Sequence, residues 1–116
     1  MSIWQTSPVS QTPGIQLTRW SIFEVPYDEH DSSSHFVGVN ITEGGEGRVS
    51  SEIKSFDRET LSGGTASGRR YSLVGKPGHS MDAMYVWNSW KYINKVSNEK
   101  EVDLDYFCSK ISTPRE

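Results

Sequence analysis

The sequence predicts an α+β fold, a curled antiparallel β-sheet of about five strands with one amphipathic helix packed on it. Three observations carry this. Alternating apolar and polar residues recur in short stretches, as in His35–Thr42, which is the two-residue period of a strand. Glycine-rich links such as Gly44-Gly45-Glu46-Gly47 are short, and short links favour antiparallel neighbours. A single stretch, from Ala83 to Ile93, carries a helical period behind the cap residue Ser80. Closure of the sheet into a barrel stays open at this level.

Residues 1–14 are rich in Ser, Thr, Gln and Pro and hold Trp4 without a sustained period, which reads as a flexible tail. The domain is expected over 15–108. Its first strand runs from Ile15 to Tyr27, with Leu17, Trp20, Ile22, Phe23 and Val25. The apolar neighbours Ile22 and Phe23 call for a bulge or for burial on both faces. An acidic, Ser-rich loop follows. In the next strand Val37, Val39 and Ile41 face one side and Phe36, Gly38 and Asn40 the other, a pattern expected of a sheet with one wet face. Arg48–Phe56 resumes as a strand, Asp57 begins a turn, and Gly63–Gly68 is a loop or a short strand and turn. Arg69–Val74 is a further strand, with Arg69, Tyr71 and Leu73 opposite Arg70, Ser72 and Val74.

Gly75-Lys76-Pro77-Gly78 ends the sheet pattern. Asp82 in the first helical turn and Lys91 and Lys95 near the last suit the helix dipole. Ala83, Met84, Val86, Trp87, Trp90 and Ile93 make one apolar stripe, flanked by Tyr85, Ser89 and Tyr92. Val102, Leu104 and Tyr106 alternate with Asp103, Asp105 and Phe107, giving a last short strand before a loose tail at 109–116.

The bulk properties narrow the function. A chain of 116 residues makes one domain with one core, and four Trp, five Tyr and four Phe offset a polar composition with mean hydropathy of −0.61. A net charge of −3 and a pI near 5.6 oppose general polyanion binding. The one cysteine, Cys108, excludes an internal disulfide and fits a reducing, cytoplasmic setting. No apolar run approaches the ~20 residues that span a bilayer, and no secretion signal is apparent, so Asn40-Ile41-Thr42 is read as a chance sequon. No membrane role, metal or cofactor is expected.

Asp28, Glu29, His30, Asp31 and His35 could ligate a metal, but their spacing matches no known ligand pattern, and a solvated loop accounts for them better. Gly63–Gly68 begins like a phosphate loop but is followed by Arg69-Arg70 and a strand, where that motif needs Lys and a helix. Arg69, Arg70, Tyr71, Lys76 and His79, with Arg48 and Lys54 on nearby strands, combine basic and aromatic groups that could meet a nucleic acid. Met84, Trp87 and Trp90 read first as core and second as an apolar ligand pocket, completed by a polar group from Tyr71 or His79. Cys108 has no fixed relation to a histidine, Ser50, Ser51 and Ser67 sit in no nucleophile elbow, and no carboxylate pair stands out.

The segments Gly47-Arg48-Val49-Ser50-Ser51, Phe56-Asp57, Ser67-Gly68-Arg69 with Tyr71, Leu73, Gly75, Pro77 and Gly78, and Ala83 with Tyr85-Val86-Trp87 and Trp90 resemble a set of small uncharacterised bacterial proteins, some of which look like cargo of mobile gene cassettes. The resemblance spans roughly residues 35 to 106, one domain in scale. It implies a bacterial, cytoplasmic accessory protein and carries no known activity. Ala66 stands where that set has an arginine-type residue, which breaks a basic strip before Ser67. The leading expectation is a non-catalytic binding module with a protein partner or a second copy of itself. A small-molecule pocket and a nucleic-acid contact are the alternatives.

Overall fold

The computed structural model describes residues 14–26, 32–42 and 44–111. The fold is α+β, with a seven-stranded, mostly antiparallel sheet and two helices. The strands are β1 (Gly14–Pro26), β2 (Ser32–Asn40), β3 (Gly47–Val49), β4 (Ile53–Asp57), β5 (Ser62–Thr65), β6 (Arg70–Val74) and β7 (Lys100–Val102). The helices are α1 (Met81–Ile93), between β6 and β7, and α2 (Leu104–Ile111), after β7. The sheet order is β3-β2-β1-β6-β5-β4, with β7 also paired to β1.

β1 organises the sheet because it is long enough to serve two strands along one edge. Its first half pairs with β6, from Gly14 opposite Arg70 to Thr18 opposite Val74, and its second half pairs with β7. The β1–β6 pair is parallel, which departs from the all-antiparallel expectation. It is allowed because the chain between the two strands passes through β2–β5, well beyond the length a crossover needs.

The face switch in β1 comes from an irregularity in its register with β2 between Thr18 and Ser21, where Arg19 adopts φ of 48°. Before it Ile15 and Leu17 enter one core. After it Trp20 and Ile22 enter the same core, while Phe23 and Val25 enter another on the opposite face. Gly38 sits across from this bulge. A Cβ there would lie 3.0 Å from the Thr18 carbonyl oxygen and 3.1 Å from the Trp20 Cα, so a larger residue would push the kinked strand back by a few tenths of an ångström.

The expectation of one wet face for β2 is corrected, since Phe36 and Val37 are both fully buried. The first core gathers Ile15, Leu17, Trp20, Ile22, Phe36, Ile53, Tyr71, Leu73 and Phe107. The second gathers Phe23, Val25, Val37, Ala83 and Trp87 beneath α1. Each face of the sheet therefore has its own cover, which is why apolar residues follow one another along β1 instead of alternating.

The sheet is not closed into a barrel. β3 and β4 lie at opposite ends of the strand order, yet only residues 50–52 separate them, a span of at most ~14 Å. The chain turns from one end of the strand order to the other within that link, and Ser50 ties the link to β2: its N–H donates to the Phe36 carbonyl at 2.9 Å, and its Oγ accepts from the Phe36 N–H at 2.9 Å. No ladder joins β3 to β4.

The C-terminal reading is also corrected. Instead of one strand through Phe107, β7 ends at Val102 and α2 begins at Leu104. Asp103 caps the helix, its Oδ1 accepting from the Tyr106 N–H at 2.8 Å. Leu104, Phe107 and Cys108 then fall on one helical side against the first core. Residues 109–111 are helical and not part of a loose tail. Gly14 belongs to β1; the rest of the expected N-terminal tail, with Trp4, lies outside the described residues.

α1 forms as its sequence requires. Ser80 is extended at φ −133° and ψ 154°, and its Oγ accepts from the Ala83 N–H at 2.9 Å. β3 docks against the first turn: a Cβ on Gly47 would lie 2.5 Å from the Asp82 carbonyl oxygen and 2.7 Å from the Ala83 Cα.

Candidate functional site

The structure disperses most of the residues singled out from the sequence. Arg69 is buried on the first-core face with Tyr71, whereas Arg70 is exposed on the other side of β6 and donates from Nη2 to Ser62 Oγ at 3.2 Å. Arg48 is buried as well, its Nε donating to Tyr71 Oη at 3.2 Å. Lys76 is exposed, and His79 Nε2 lies 2.9 Å from a carboxylate oxygen of Glu101. Two of the arginines are thus withdrawn from solvent, and the basic set does not form one strip.

The aromatic set is divided too. Trp87 is fully buried, stacked between Phe23 at 4.6 Å and Trp90 at 5.2 Å between ring centroids. Its Nε1 has no acceptor among the described residues. Met84 packs at the edge of the same core. Tyr71 belongs to the opposite core, so it does not meet Met84, Trp87 and Trp90 in one pocket. The tryptophan stripe is core on its Trp87 side and solvent-facing only at Trp90.

Beside Trp90 there is an open cleft of about 360 Å³, lined by Val25, Pro26, Ser33, His35, Trp90 and the segment 94–96. The strand alternation of β2 puts Ser33, His35 and Val37 on the α1 face. His35 is buried, and its ring packs against Trp90 at 4.7 Å and 55°. His35 Nδ1 lies 2.8 Å from the Ser50 carbonyl oxygen, which can only accept, so Nδ1 carries the proton. Nε2 is then the bare nitrogen, and the Ser33 hydroxyl donates to it at 2.8 Å. Burial lowers the His35 pKa, against the opposing effects of the Ser50 hydrogen bond and the Glu52 charge. The imidazole is therefore neutral at neutral pH, with a lone pair able to take a proton from Ser33.

This pair was not singled out from the sequence because Ser32-Ser33-Ser34 reads as loop composition. The available signal was Ser33 and His35 standing two apart on the same side of a strand. Of the five residues weighed as metal ligands, Asp28, Glu29, His30 and Asp31 lie outside the described residues. Among the described residues no three His, Cys, Asp or Glu side chains converge as a metal site. Cys108 is half-buried, and burial pushes its thiol pKa up, away from nucleophilic use.

A second surface feature is the outer side of α1. Met81, Tyr85 and Tyr92 project from one side of the helix with Ile93 beside them, at 90%, 64%, 86% and 57% exposure. Asp82 and Lys91 are the only charged residues of this helix, and Lys91 is drawn to Glu99 at 2.6 Å.

Among the described residues no helix is long and apolar enough to cross a membrane. Comparison of the chain with family models, curated proteins and solved structures finds no match.

Proposed function

We propose that the protein is a small binding module that docks a protein partner through the outer face of α1. The observation that carries this is the exposure of Met81, Tyr85, Tyr92 and Ile93 on the solvent side of a helix whose inner side already fills the second core. A solvated helix face ordinarily carries charge; this one presents large apolar and aromatic side chains, the composition enriched at interface centres. Ser89, expected on the same flank, is half-buried and sits at the margin of the patch. The resemblance to bacterial cassette-borne proteins is compatible with an accessory, cytoplasmic role for such a module, and both belong to this proposal.

The test compares capture by the tagged full chain with capture by a Tyr85→Asp, Tyr92→Asp double variant, alongside sedimentation velocity of each. Both residues are exposed, so the variant keeps its fold. A stoichiometric protein, or a self-associated form, that is held by the wild type and lost in the variant supports the reading. Equal capture and equal sedimentation by both reject it.

A second reading, small-molecule binding, is favoured by the cleft beside Trp90. At about 360 Å³ it lies near the lower end of the ~300–1,000 Å³ range of ligand sites and joins an indole face to polar groups. Of the residues named for the nucleic-acid alternative, Arg48 and Arg69 are buried while Arg70 and Lys76 are exposed, and no specific observation favours that reading.

A further inference from the structure

We propose that Ser33 and His35 form a nucleophile and general-base pair that cleaves small carboxylic esters bound in the cleft beside Trp90. The proposal rests on the small-molecule reading of that cleft and adds a reaction to it. Four observations converge. The Ser33 hydroxyl donates to His35 Nε2 at 2.8 Å, the contact a serine needs to lose its proton as it attacks. The Ser50 carbonyl holds Nδ1–H at 2.8 Å, which fixes the tautomer and ring orientation as the third member of a catalytic triad does. Ser33 and His35 both line the cleft, so a bound molecule can reach the hydroxyl. Lys95 lines the same cleft, and a cation there would favour an oxyanion.

The rest of the arrangement serves this geometry. Trp90 packs on the imidazole and limits its motion, and Val25 and Val96 give the acyl chain an apolar wall. Ser50 acts as a positioning residue, because its Oγ and N–H are already committed to β2. The imidazole, kept neutral by burial, is ready to accept a proton at neutral pH.

In the first half of the reaction, Ser33 Oγ bonds to the ester carbonyl carbon while its proton passes to His35 Nε2. The tetrahedral intermediate collapses, the C–O bond to the alcohol breaks, and the imidazolium returns the proton to the leaving alkoxide. In the second half, a water attacks the acyl-serine, giving its proton to Nε2, and the carbonyl–Oγ bond breaks with that proton restoring the serine. The net change is ester plus water to carboxylic acid plus alcohol, with no redox partner.

The experiment treats the full chain with a fluorophosphonate probe, maps the adduct by mass spectrometry, and follows hydrolysis of p-nitrophenyl acetate. The expected result is one adduct, on Ser33, absent in Ser33→Ala. Hydrolysis should fall roughly 100-fold or more in that variant. Ser33 is half-buried, so Ser33→Ala keeps its fold even if variants of the buried His35 do not. No adduct, an adduct on another serine, or undiminished hydrolysis in Ser33→Ala overturns the proposal. Titration with the unreactive analogue N-butylacetamide, read by tryptophan fluorescence against a Trp90→Phe control, separates the two failures. A Trp90-dependent response without labelling leaves the cleft reading standing and removes the nucleophile. No response and no labelling remove both.

Discussion

Neutralising Glu24 by Glu24→Gln should loosen α2 from the sheet and remove the acid sensitivity that its carboxylate carries. Glu24 lies on β1, 7% exposed, and its carboxylate is the anchor for three elements. Lys110 donates to Oε2 at 2.7 Å, Ser32 to Oε2 at 2.8 Å and Tyr106 to Oε1 at 3.0 Å, with Lys100 at 3.8 Å. Burial pushes the carboxyl pKa up, but the hydrogen bonds from Lys110, Ser32 and Tyr106 together with the Lys110 charge outweigh it, and the result is a fall from 4.5 to about 2. At about 1.4 kcal/mol per pH unit, that fall is worth on the order of 3 kcal/mol. A pKa depressed in the folded state gives stability that is present in full above the unfolded value and fades as pH falls toward the folded one. Urea unfolding followed by tryptophan fluorescence should therefore show the wild type more stable than Glu24→Gln by about 3 kcal/mol at neutral pH. The gap should narrow steadily as pH falls below 4.5 toward 2. A gap that stays constant across that window would show that the ionised carboxylate is not the anchor, and the reasoning would fail.

Other outcomes follow from the same packing. Gly47→Ala puts a Cβ into backbone atoms of Asp82 and Ala83 that cannot turn aside, and thermal unfolding should report a loss of about 2 kcal/mol. Ser80→Ala removes the bond to the Ala83 N–H and should cost about 1 kcal/mol in the same assay, with the helix content of the folded protein unchanged. Because the folded pKa of His35 is lowered, its contribution is present above its unfolded value of 6.5 and is lost as pH falls below it. A pH titration of stability should show that decline in the wild type and not in His35→Gln, with Glu52 as the nearby charge to be held constant.

α1 was legible because its signals are local: the Ser80 cap, Asp82 in the first turn and the Ala83–Trp87 spacing are fixed by neighbours in sequence. The face switch near Ile22 and Phe23 was legible for the same reason, although the bulge itself sits earlier, at Arg19. α2 was misread because Val102, Leu104 and Tyr106 satisfy a strand period while Leu104, Phe107 and Cys108 satisfy a helical one, and over so short a stretch only the cap at Asp103 decides. The parallel β1–β6 pairing could not be read at all, since it depends on contacts between residues more than fifty apart in sequence. The same holds for the cleft. Its serine looked like loop composition and its histidine like part of an acidic cluster, and only the β2 register, with Ser50 brought up by the β3–β4 link, turns them into an oriented pair.

The central claim, that the outer face of α1 is a protein-docking surface, is tested most directly by photo-crosslinking in a lysate of the cells that express it. The photoreactive residue p-benzoylphenylalanine would replace Tyr85 in one protein and Lys54, exposed on β4, in a control. The account predicts one dominant crosslinked species of fixed mass at position 85, identical between preparations and absent at position 54. A featureless or identical pattern at the two positions would contradict it.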